Sequence, residues 1–156
     1  MPSSRLICAL ALVIMTAGGE AIAEAPPAEA AREQTTLRHA LGVAMGSALY
    51  HTHLFLGTAA DGYKGKALTA EQVRGTLKAS ARVTQDLVDE LGRAKSFTLP
   101  PEELAKLEEL IAIGEMVVRE VRLLHGVVQT GTPEAERAFA EHRQRVRVRL
   151  GALLGL

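Results

Sequence analysis

Tryptophan is absent from this chain, and phenylalanine and tyrosine together supply only 3% of it. A β-sandwich or barrel, whose strands favour aromatic and β-branched side chains, is therefore disfavoured. The 47% of hydrophobic residues is carried by Leu, Val, Ala and Ile, which suits helices packed on helices. Cysteine occurs once, at Cys8, inside an N-terminal segment that reads as a leader. Once that segment is removed, no disulfide, thiolate metal site or cysteine nucleophile can form. Net charge is also lacking: 18 basic residues face 18 acidic ones, so no global electrostatic case exists for nucleic acid.

Several chemical signatures are missing as well. No Cys-x-x-Cys-His occurs, which excludes covalent haem, and neither His-Glu-x-x-His nor the Glu-x-x-His of di-iron bundles is present. Gly62–Lys66 precedes a helix but lacks phosphate-loop spacing and reads as a turn, with anion binding as the alternative. No serine sits in a nucleophile-elbow pattern. An enzyme is accordingly the less favoured class.

What is present begins with an export signal over residues 1–23. Arg5 supplies the positive start, Leu6–Gly18 the apolar run, and Ala21-Ile22-Ala23 a small-x-small cleavage site. The apolar run is roughly 13 residues, short of the about 20 that span a bilayer, so the mature chain is expected to have no transmembrane span. Cys8 opens the apolar run instead of following it, unlike a lipoprotein cysteine, and no twin arginine is present. The expected location is periplasmic or secreted. Residues 24–32, EAPPAEAAR, read as a flexible Pro/Ala/Glu linker.

Residues 33–156 predict an antiparallel, up-down-up-down four-helix bundle. The longest pattern is Pro100–Gln129, with Leu104, Leu107, Ile111, Gly114, Val118, Val121, His125 and Val128 at heptad seam positions and Leu110, Val117 and Leu124 beside them. A first helix, Glu33–Ala60, places Leu37, Leu41, Ala44, Ala48, His51 and Phe55 on one stripe. A second opens on the capping box Thr69-Ala-Glu-Gln72 and carries Val73, Leu77, Ser80, Thr84, Leu87 and Leu91, with Ser80 and Thr84 able to bond carbonyls of their own helix. The last, after Thr132-Pro133, turns Ala135, Phe139, His142, Val146, Leu150 and Leu153 inward.

Histidine is the one chemically promising set. His51, His125 and His142 fall on inner stripes of three helices and, counted through the links, in the same half of the bundle. Three inward imidazoles could hold Zn, Cu or an iron centre. They could equally be hydrogen-bonded core residues. His39 and His53 lie off the inner stripe, and the His51-Thr-His53 pair points its rings about 200° apart. The carboxylates of the third helix, Glu102, Glu103, Glu108, Glu109, Glu115 and Glu120, read as a solvated face. Arg143, Arg145, Arg147 and Arg149 suit the end of the last helix and are expected alongside Glu109 and Glu115, with a patch for an acidic partner or an anionic surface as the alternative. The resulting expectation is an exported binding or structural module, with a protein partner or a homodimer as the kinds of partner. A histidine metal site and an unrecognised enzyme pocket are the alternatives.

Overall fold

A computed structural model describes the backbone from Pro27 to Leu156 and side-chain surroundings from Arg32 onward. The expected leader and the first residues of the expected linker lie outside the described residues. Those described form four helices and no strand: α1 Pro27–Lys64, α2 Ala70–Ala94, α3 Pro101–Thr130 and α4 Pro133–Leu154. None of these helices is long and apolar enough to cross a membrane. The chain divides into two compact units after Leu37. In the first, Thr36 Oγ1 donates to Arg32 O within its own helix. The second unit is Arg38–Leu156.

The helix ends follow local chemistry. Thr69 and Gln72 form the expected reciprocal box, with Gln72 N donating to Thr69 Oγ1 at 3.2 Å and Thr69 N to Gln72 Oε1 at 2.8 Å. The third helix starts on a proline pair and stops at Gly131, whose φ of 62° lies in the left-handed region glycine tolerates. Thr132 caps α4 through Ala135 N at 3.3 Å. The first helix runs past the expected stop at Ala60 and includes Gly62, which lies under the Leu68 side chain. It ends at Gly65-Lys66, and Lys66 takes a φ of 61°.

The core holds Leu49, Leu77, Leu91, Ile113, Leu124 and Leu150, with Phe139 packed beside them. On α2 and α4 the buried residues follow the expected stripes, except that Val88 joins α2 and Thr84 Oγ1 is buried with no hydrogen-bond partner among the described residues. On α1 the expected phase is wrong. Leu41 and Phe55 are more than half exposed, and Ala44, Ala48 and His51 are exposed with them. The inward stripe is Leu49, His53, Leu56 and Ala59. Both faces of this segment are apolar, so periodicity alone could not choose between them.

Close pairs fix the alignment of neighbours. Down α3, Glu109 meets Arg149 and, further on, Glu120 meets Arg143, so the α4 partners come in reverse order. Between α1 and α4 the close pairs also come in reverse order: Gly46 lies beside Leu154, and Lys64 pairs with Glu136 at 3.1 Å. Between α1 and α3 the order is the same in both helices: Arg38 with Glu103, His53 with Glu120, Tyr63 beside Val128. Val88 of α2 presses on Gly114 of α3, and Lys95 reaches Glu108 at 2.9 Å.

Candidate functional site

The three histidines singled out by sequence are not brought together. His51 and His125 are exposed, and only His142 is buried, donating from Nε2 to the Met116 carbonyl at 2.8 Å. Among the described residues no group of three His, Cys, Asp or Glu side chains is placed to hold a metal ion. The inward turn expected of His51 followed from the wrong phase on α1. His125 lies at the edge of the α3 stripe, and burial there goes to Leu124, Val127 and Val128.

The structure buries a different group. Glu120, expected on the solvated face, is fully buried, and so, at 2% exposure, is His53. His53 Nδ1 and Glu120 Oε2 are 2.8 Å apart. An ionised carboxylate only accepts, so Nδ1 carries the hydrogen. Arg143 Nη1 donates to the other oxygen, Oε1, at 3.0 Å and to the His53 carbonyl at 2.7 Å. Each carboxylate oxygen thus has its own donor, and the guanidinium offsets the buried charge.

Arg143 approaches this closely because residue 57 has no side chain. A Cβ on Gly57 would stand 1.9 Å from Arg143 Nη2 and 2.3 Å from Cζ. The guanidinium therefore lies on bare helix backbone. Its Nε and Nη2 have no partner among the described residues, yet they are not sealed away, since Thr84 Oγ1 is the one buried, unpartnered side-chain atom found there.

Arg143 and Gly57 together line a cavity of about 910 Å³, framed by the end of α1, the α1–α2 link and the first half of α4. Ala60, Leu68, Val127 and Phe139 supply an apolar wall. Lys64, Lys66, Arg137 and Arg143 supply four cations against two acids, Asp61 and Glu136. Glu136 is engaged by Lys64. Lys66 and Arg137 have no carboxylate partner among the described residues. The volume falls within the ~300–1,000 Å³ of small-molecule pockets, and an apolar wall with a few convergent polar groups is their usual make-up.

Sequence reasoning missed this site, but part of its signal was there. Glu120 interrupts the run Ile113, Val117, Leu124, Val127 at helical spacing, a carboxylate in an apolar stripe. His53 sits between Leu49 and Leu56 in the same way. The guanidinium's seat on Gly57 depends on which residues face each other across helices, which no single helix records. Comparison with known proteins adds nothing to the geometry: no family model, no curated protein and no solved structure matches the chain.

Proposed function

We propose that this protein is an exported, up-down-up-down four-helix bundle that works as a non-catalytic binding module, taking a small molecule into the cavity around Arg143. The leader-like residues 1–23 support export. The reversed pairing order of α1 with α4 and of α3 with α4, and the matching order of α1 with α3, support the topology. The observation that carries the binding reading is the about 910 Å³ cavity that has an apolar wall and, at its edge, an arginine braced by a buried carboxylate. Such bracing fixes the donors before a ligand arrives, which lowers the cost of ordering them on binding.

A neutral fluorescent probe, N-phenyl-1-naphthylamine, tests the cavity without regard to charge. Its emission should rise on adding protein, and Ala140→Phe, which fills the cavity from an exposed lining position, should abolish the rise while leaving the helical circular dichroism intact. Probe uptake unchanged by Ala140→Phe removes the reading.

A second reading, self-association, has its own observation. No Asp, Glu, Lys or Arg occurs between Arg38 and Asp61, although the outer side of this helix segment exposes Leu41, Val43, Leu54 and Phe55. Leu41, Ala44, Ala48, His51 and Phe55 follow coiled-coil spacing, with bulky ends and a small middle. The occupant we assign is the same face of a second copy: a seam without charge is matched by one without charge, and bulk can fit against bulk about a two-fold axis. Roughly 20 Å by 10 Å of helix surface is far below the ~800 Å² per partner of a standard interface, so the pair is weak. Sedimentation should show a monomer–dimer equilibrium that Leu41→Glu shifts to monomer; a monomer at every concentration excludes it.

A further inference from the structure

Resting on the cavity reading above, we infer that the ligand is an organic monoanion, a carboxylate with an apolar body, and that Arg143 receives its head through Nε and Nη2. Those two nitrogens have no hydrogen-bond partner among the described residues; Nη1 is already committed to Glu120 and the His53 carbonyl. Nε–H and Nη2–H present two parallel donors at the spacing of the two oxygens of a carboxylate, the fork that a lysine cannot copy. Glu120 offsets the charge of Arg143, so the preference for an anion also needs uncompensated cations. Lys66 and Arg137 on the same cavity provide them. One head-group charge meets that small surplus, and Asp61 and Glu136 on the rim disfavour a polyanion. Behind the head, Ala60, Leu68, Val127 and Phe139 form an apolar wall on which an uncharged body can lie.

Lys66 follows α1 in the left-handed region at φ 61°, where Ala67 N donates to Gly62 O at 2.8 Å, and a glycine adopts that conformation more easily. Gly57 is then the residue that decides specificity, because any side chain at that position pushes the guanidinium off its seat.

The test compares three probes by isothermal titration calorimetry on the chain from residue 24 onward: decanoate, decanol and inorganic phosphate. Decanoate should bind at least tenfold more tightly than either of the others. Gly57→Ala should weaken decanoate by tenfold or more and decanol by far less, since the new methyl displaces the guanidinium and leaves the apolar wall in place. Lys66→Gly, whose backbone already suits glycine, should weaken decanoate several-fold and keep the fold intact. Decanol binding as tightly as decanoate overturns the anion assignment but leaves the cavity standing. Phosphate binding as tightly as decanoate overturns the apolar body. Decanoate affinity untouched by Gly57→Ala removes Arg143 as the receptor of the head. Failure of decanoate, decanol and the neutral naphthylamine alike sinks the cavity reading itself.

Discussion

Glu120 has no water to return to. Its two oxygens are held by His53 and Arg143, and its side chain is fully enclosed. Removing one partner of a buried charge leaves the other uncompensated, typically at a cost of about 3–5 kcal/mol. Arg143→Met should therefore destabilise the fold by about 3 kcal/mol, the lower end, because the arginine is partly exposed and His53 still donates to the carboxylate. In a Glu120→Gln background the same change should cost much less, since no buried charge is left behind. Urea unfolding of the four proteins in this cycle measures the coupling. A cycle that closes additively shows that the two side chains do not act on each other. At this scale the sequence was half legible. Glu120 and His53 stood at buried helical positions between aliphatic neighbours. Reading the glutamates of α3 as one solvated set hid the member that was not solvated.

At the scale of the element, glycines of equal helix propensity have opposite roles. Gly114 lets α2 approach α3: a Cβ there would stand 2.6 Å from Val88 Cγ2, and β-branched valine has little rotamer freedom inside a helix. Gly75, in α2, is exposed and would meet nothing. Gly75→Ala should raise stability by about 1 kcal/mol, the propensity difference in a helix interior. Gly114→Ala gains the same increment but meets an overpacking cost of about 1–3 kcal/mol, so it should be neutral to destabilising by roughly 2 kcal/mol. Thermal melts of the two variants compare directly; equal stabilisation in both would mean the helices are not in close contact at Gly114. The caps of α2 and α4 were legible because a box such as Thr69–Gln72 is written within four residues. The phase of α1 was not. Leu41, Ala44, Ala48 and Phe55 repeat as regularly as Leu49, His53 and Leu56, and only the neighbouring helices select the second set.

For the whole molecule, a formal net charge of zero conceals an uneven distribution. Residues without formal charge cover α1 from His39 to Ala60, and beyond its end lie Lys66 and Arg137, cations with no carboxylate partner among the described residues. An all-helical chain was legible from composition and periodicity, because those add over long windows; the local excess of one sign at a cavity depends on which side chains fold next to one another. The two modes of association should therefore separate in salt. Raising sodium chloride from about 0.05 to 0.5 M shortens the screening length from roughly 14 to 4 Å. Decanoate affinity should fall several-fold over that range, because its head meets partly solvated cations. Association through the outer face of α1 has no charge to screen and should hold steady; sodium sulfate, by exclusion from apolar surface, should strengthen it. Sedimentation and calorimetry on the same samples read the two effects side by side. A dimer that dissociates in sodium chloride would place charged residues in its interface, and the uncharged seam would then be the wrong face.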